Sequence, residues 1–350
     1  MYWMKKRRRF WLTGLVVTLA LVLGLAYFVR PPSTPPPAVG DVLPGGAVVV
    51  YSPAYRVSFF GIERLHPFDI NKYDRIAAHL QSEGLVARDG FRIPESASSR
   101  LLSTVHDPDY IASLTDPEAL SRALEVKVPF GGPAMEKRVL APFQAAVGGT
   151  VVAARAAREH GLGINLGGGF HHARPSMGHG FCIYNDVAVA IAQLRADGFN
   201  GRILIVDTDA HQGDGNHAFF ADDPSVYSFS MHQGDIFPVP KLRGDRDLSL
   251  DGGTGDAAFL AVLRAALPEV MAESGAEMIV HVAGSDVLSD DPLAGLTMTV
   301  EGMIERDRVV AQAARSAEVP LVHLLAGGYG PSSATAQGQS VAALLRLWAQ

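Results

Sequence analysis

Six short runs of branched apolar residues constrain this chain more than any other feature: AVVVYS (residues 47–52), GINLGGG (163–169), RILIVDTDAH (202–211), VYSFSMH (226–232), EMIVHVAG (277–284) and PLVHLLAGG (320–328). They do not alternate apolar with polar residues, so a sheet built from them has both faces covered, as parallel strands do. Between them, VAVAIAQLRADG (187–198), AFLAVLRAALPEVMAESG (258–275) and EGMIERDRVVAQAARSA (301–317) repeat apolar residues at three- and four-residue spacing, the period of a helix. Strand alternating with helix predicts an α/β domain. Ligands of such sheets bind beyond the carboxyl ends of the strands, which is where the polar clusters of this sequence fall.

The first 40 residues read differently. Residues 10–29 (FWLTGLVVTLALVLGLAYFV) form an uncharged apolar run of 20 residues, which as a helix spans roughly 30 Å, the hydrocarbon thickness of a bilayer. Lys5, Lys6, Arg7, Arg8 and Arg9 precede it and only Arg30 follows. That bias predicts a basic cytoplasmic tail (1–9), a transmembrane signal-anchor (10–29) and a catalytic part outside the cytoplasm, periplasmic in a Gram-negative cell. Gly24 and Ala26 leave a cleaved signal peptide as the competing reading. Residues 30–40, rich in proline, predict an extended linker, and 41–350 a single catalytic domain.

The first 30 residues carry six of the 30 Lys and Arg and no acid, so residues 31–350 hold 24 cations against 36 acids, a formal charge of −12. This disfavours a nucleic acid partner and favours cationic substrates. Cys182 is the single cysteine, so a metal must be held by His, Asp or Glu.

In RILIVDTDAHQGDG, Asp207, Asp209 and His211 recur at every second position, and Asp286 follows the next strand but one in AGSDVLSDDPLAG. Asp209, His211 and Asp286 together make one imidazole and two carboxylates, enough for a Zn²⁺ that keeps an open position for water. GGGFHHA (167–173) places His171 and His172 side by side after another strand. One could take the proton of a metal-activated water and later return it to a leaving amine, while the other holds charge nearby. Two adjacent imidazoles differ in charge only if their surroundings differ, and Asp207 and Asp214 are the natural partners that make them differ. Tyr329, in LAGGYG, stands where a phenol could donate to a developing oxyanion. Cys182 reads as a small buried hydrophobe beside a pocket wall at Phe181, and His66, His106, His217 and His232 as structural or rim residues.

INLGGGFHHA, GFCIYNDVAVAI, ILIVDTDAHQGDGN, HVAGSDVLSDDPLAGLTMTVEGMIERD and LAGGYG, in this order, resemble the zinc-dependent histone deacetylase family, and its class IV branch most. The resemblance covers nearly all of 41–350. It implies an arginase/deacetylase-like three-layer α/β fold with a mainly parallel sheet of about eight strands. It implies a zinc-dependent amidohydrolase that removes acetyl or longer fatty acyl groups from lysine side chains of proteins or peptides. Residue by residue, Asp209, His211 and Asp286 match the zinc ligands and His172 the general base and acid. His171 matches the electrostatic partner paired with Asp207, Asp214 the carboxylate that orients His172, and Tyr329 the group that polarises the carbonyl. A structural potassium ion is expected near Asp207 to His211, held by backbone carbonyls. A glycine-lined channel at Gly180 and Gly328, past Phe181 and Phe237, is expected to admit the acyl-lysine. Gln212 stands where class I members carry a second histidine, and Gly178 and His179 depart from the family in the loop before GFC.

Three rival readings share these residues. An acylated polyamine, attracted by the acidic domain, would use the same catalytic groups. An arginase-like dinuclear ureohydrolase would need an acid where Gly213 stands. A membrane-tethered module that binds acylated amines without cleaving them is the third.

Overall fold

The computed structural model describes residues 40–350, other than 59, 60, 62, 64, 65, 70 and 130. The basic tail, the apolar segment and all of the linker but Gly40 lie outside the described residues. Seven parallel strands form one sheet: β1 (Ala47–Val50), β2 (Leu162–Asn165), β3 (Ile203–Asp207), β4 (Val226–Gln233), β5 (Arg246–Leu250), β6 (Met278–Val282) and β7 (Leu321–Leu324). The main helices are α1 (Lys72–Ser82), α2 (Ala141–His160), α3 (Asp186–Ala196), α4 (Asp214–Phe220), α5 (Asp256–Ser274), α6 (Val300–Ser316) and α7 (Ser333–Trp348). Helices α2 and α3 pack together, while α5, α6, α7 and α1 form a second chain of neighbours.

All six apolar runs became strands, and β1, β2, β3, β6 and β7 are buried along their whole length. The sheet has seven strands among the described residues, not about eight. β5 was not legible as a strand: its sequence RDLSL is polar and partly exposed at the sheet edge, where one face needs no cover.

The strand order β1-β2-β7-β6-β3-β4-β5 positions the site. After β2 the chain skips two places to lay down β3, and β6 and β7 later fill the gap. The loops leaving β2 and β3 therefore part, and the crevice between them receives the loops of β6 and β7. Asp207 is in register with Val282 of β6, and Asn165 with Leu324 of β7, so the four polar loops start from one level.

One helix among the described residues, Pro133–His160, is long and apolar enough to cross a membrane, but 78% of its apolar window is buried in the protein. It is a core helix, and its glycines show why. Gly149 faces β2 so closely that a Cβ there would overlap the Tyr55 hydroxyl and stand 2.7 Å from Asn165 Oδ1. The Tyr55 hydroxyl donates to Asn165 Oδ1 (2.9 Å), and Asn165 Nδ2 donates to Ala146 O and Thr150 Oγ1 (2.9 Å each). Gly149→Ala should therefore lower stability by about 1–3 kcal/mol through overpacking, although alanine is the better helix former by about 1 kcal/mol. Urea unfolding checks this, and an unchanged or raised midpoint would refute it.

Candidate active site

The loop after β2 turns through Gly168 and Gly169, both left-handed at φ 80° and 78°. Asp186, the first residue of α3, holds this turn: its carboxylate accepts the Gly169 and Phe170 N–H groups (2.9 and 2.7 Å) and the Thr150 hydroxyl (2.5 Å). His171 and His172 emerge with their rings 4.1 Å apart. His171 Nδ1–H donates to Asp207 Oδ2, and His172 Nδ1–H to Asp214 Oδ1, each at 2.7 Å. All four side chains are buried.

The two imidazoles nevertheless differ. Burial alone would lower His171, but Asp207 and then Asp209 outweigh it and raise its pKa to about 9. His172 falls to about 3, through burial first and the neighbouring His171 charge second, against the pull of Asp214. Asp214 is shared: its Oδ2 accepts Arg174 Nη2 (2.6 Å) and Nε (3.0 Å), and His179 Nε2 lies 3.0 Å away. Their surroundings thus push the paired rings in opposite directions, His171 toward its charged form and His172 toward its neutral one. With Nδ1–H committed to Asp214, the His172 lone pair is on Nε2.

Asp209 and His211 follow β3, Asp286 follows β6, and one ligand atom of each lies within 4.8 Å of the others. His211 Nδ1 is 2.8 Å from Asp286 Oδ2 and 3.3 Å from Asp209 Oδ1. Backbone N–H groups aim the carboxylates: Ala210 donates to Asp286 Oδ1 (2.8 Å), His211 to Asp209 Oδ1 (2.9 Å) and Gly327 to Asp209 Oδ2 (3.0 Å). Burial, then the adjacent Asp209, pushes Asp286 up to about 7. Two buried carboxylates with one imidazole fit a divalent ion that takes nitrogen and oxygen donors, and zinc is such an ion.

Tyr329 closes the opposite side, its ring 6.2 Å from His211 and 5.8 Å from Phe181. Burial, then Asp286, raises its phenol well above the ordinary value, so it stays a proton donor. A narrow cavity of about 20 Å³ lies among Phe170, His171, His172, Phe181, Gly327 and Tyr329. Gly180 and Phe181 both have left-handed backbone (φ 56° and 65°). A Cβ at Gly180 would stand 2.5 Å from His172 Cδ2 and 2.9 Å from Phe237 Cε1. Phe237 packs on the His172 ring at 4.9 Å. Gly328 does not line the cavity. It sits behind at φ 128°, where a side chain would run into the Ser285 and Ser333 hydroxyls, and Ala326 and Gly327 form the wall in its place.

Four further histidines, His66, His106, His217 and His232, stand apart from the pair. His66 packs against Phe181 (4.5 Å), His106 bridges Arg174 O and the Asn185 N–H, His217 contacts Ser228 and Asp247, and His232 contacts Ser230. Cys182 is buried and its thiol pushed up by burial. Gln212 turns away to the 242–247 segment, donating to Leu242 O and Asp247 Oδ1 (2.7 Å each). Sequence reasoning missed Asp186, Arg174 and Asp291, whose carboxylate accepts the Tyr329 and Gly330 N–H groups (2.7 and 3.2 Å). Asp291 stood in the quoted SDDPLAG, but nothing in spacing tied it to Tyr329.

The histone deacetylase domain family matches residues 66–345. Histone deacetylase 2 of Arabidopsis thaliana is 36% identical over 307 residues, covering 85% of this chain and 78% of the relative. The acetoin utilization protein AcuC of Bacillus subtilis is 32% identical over 272 residues, covering 73% of this chain and 70% of the relative. The crystal structure of the HDA15 HD domain shares the fold with a TM-score of 0.71 at 20% identity, over 88% of this chain and 89% of that one. The chain belongs to the histone deacetylase family and is a deacetylase hydrolase.

Proposed function

We propose that the chain is a zinc-dependent lysine deacylase acting on acylated proteins or peptides. The observation that carries this reading is the histidine pair, two imidazoles 4.1 Å apart, each hydrogen-bonded to its own buried carboxylate, beside the Asp209, His211 and Asp286 cluster. His172 Nε2 takes a proton from the attacking water as the new C–O bond forms, and returns it to the lysine nitrogen as the C–N bond breaks. His171, kept charged by Asp207, balances negative charge as it develops. Asp209, His211 and Asp286 would hold zinc, which supplies a Lewis acid for the amide carbonyl and acidifies water. The Tyr329 phenol donates to the carbonyl oxygen.

The finer parts of the reading rest on separate features. An apolar chamber of about 290 Å³, lined in part by Leu124, Val128, Met135 and Phe143, meets the narrow cavity at Phe68 and Phe181, which favours acyl groups longer than acetyl. Gln212 favours the class IV branch, and a potassium ion beside Asp207 to His211 belongs to the same reading. The Lys5 to Arg9 cluster ahead of residues 10–29 favours a single-pass anchor with the catalytic domain outside the cytoplasm.

The full-length chain should release acetyl and octanoyl groups from a lysine peptide in a chelator-sensitive way, with octanoyl cleaved at least as fast as acetyl. Failure of the zinc-loaded protein on every lysine peptide would move the substrate to acylated polyamines. His172→Ala should cost about 10²–10⁴-fold in kcat with zinc retained, whereas Asp286→Ala should lose zinc itself; metal content and turnover on the same samples separate the two. A phosphatase reporter fused after Gln350 should be active only outside the cytoplasm, and activity of a cytoplasmic reporter at the same place would reverse the topology.

A further inference from the structure

The carboxylate that holds His172 is itself held from the rim of the site. Asp214 is fully buried, and its two oxygens serve different partners. Oδ1 accepts His172 Nδ1–H at 2.7 Å, while Oδ2 accepts Arg174 Nη2 at 2.6 Å and Nε at 3.0 Å and has His179 Nε2 at 3.0 Å. An aspartate carboxylate turns easily about its last bond, because that torsion has broad wells. Two nitrogens of one planar guanidinium on a single oxygen stop the turn and leave the other oxygen to the imidazole.

Other groups fix the backbone around this pair. Asn216 N–H donates to His171 O (3.2 Å), Asn185 Nδ2 to Ala173 O (3.2 Å) and Asn216 Oδ1 (2.9 Å), and His106 Nδ1–H to Arg174 O (3.1 Å). The start of α4 lies so close to the loop that a Cβ at Gly215 would stand 2.4 Å from Ala173 O and 2.5 Å from His171 O. Rotation of the Asp214 carboxylate is the freedom that these contacts leave and Arg174 removes. Arg174 follows His172 by two residues on the same loop, and its side chain, 29% exposed, reaches the buried carboxylate from the solvent side. The neighbouring pair has its own supports: Asp207 accepts His171 Nδ1–H (2.7 Å) and the Asp209 N–H (3.2 Å).

We propose that Arg174 is a positioning residue that pins the Asp214 carboxylate through Oδ2, so that Oδ1 holds the orientation of the His172 ring. That His172 is the base rests on the function proposed above, whereas the pinning of Asp214 does not.

Arg174→Met and Arg174→Lys in the full-length, zinc-loaded protein test this by two readouts. In proton NMR, the His172 Nδ1–H should exchange with water at least tenfold faster in Arg174→Met, while the His171 Nδ1–H on Asp207 keeps its wild-type rate. In turnover, Arg174→Met should lower kcat at least tenfold with KM within twofold, the signature of an interaction that matters in the transition state. Arg174→Lys, which keeps the cation but brings one nitrogen in place of two, should recover part of both losses. Exchange that speeds alike at both histidines or at neither, or kcat within twofold of wild type, would overturn the proposal. Should Arg174→Met not fold, Arg174→Gln carries the same comparison. A wild type that cleaves no acyl-lysine would sink the deacylase reading alone, and the exchange readout would still decide the place of Arg174.

Discussion

Asp209 and Asp286 are buried side by side at the carboxyl ends of β3 and β6, in the middle of the sheet, and much of the architecture answers to that. Like charges held this close and dry cost several kcal/mol unless other groups compensate. The chain supplies donors from two loops: the Ala210 and His211 N–H groups and the His211 ring after β3, and the Gly327 N–H after β7. Behind them Arg306, fully buried, donates to Thr208 O (3.0 Å) and Gly284 O (2.6 Å), the carbonyls just ahead of the two acidic loops, and pairs with Asp307 at 2.8 Å. It fastens β3 to β6 where the ligands leave them.

The histidine pair follows from the same economy of charge. Rings 4.1 Å apart in a dry site do not both protonate, so the surrounding carboxylates decide which one does. His171 lies 2.7 Å from Asp207 and 3.7 Å from Asp209. His172 has Asp214 alone, and Arg174 already draws on that carboxylate. Neighbouring residues of one type are therefore pushed in opposite directions through their partners and not through their own chemistry.

Much of the frame could be read without coordinates. Continuous Val, Ile and Leu runs have few ways to be buried other than as inner parallel strands, and β1, β2, β3, β4, β6 and β7 lie where those runs stand. β5 escaped because an edge strand with a wet face carries no such signature. In the site, the alternation of Asp207, Asp209 and His211 and the doubled histidine were legible because local spacing alone puts them near one another. Asp186 was not: it reads as an ordinary helix-opening acid until the sheet brings the Gly169 and Phe170 amides against it. Gly328 was misplaced at the wall for a related reason, since a glycine in LAGGYG gives no hint of which way its backbone turns.

The sequence by itself determined the strand and helix alternation and the donor types at the strand ends, because each depends on residues close in the chain or on burial of apolar runs. Tertiary structure alone decided which histidine is pushed toward its charged form, which carbonyls Arg306 grips, and how narrow the cavity between Phe181 and Tyr329 is. Those outcomes depend on distances of a few ångströms between segments far apart in the chain, such as Arg306 and Thr208, 98 residues apart, and electrostatic and hydrogen-bond energies in a buried site change steeply over such distances.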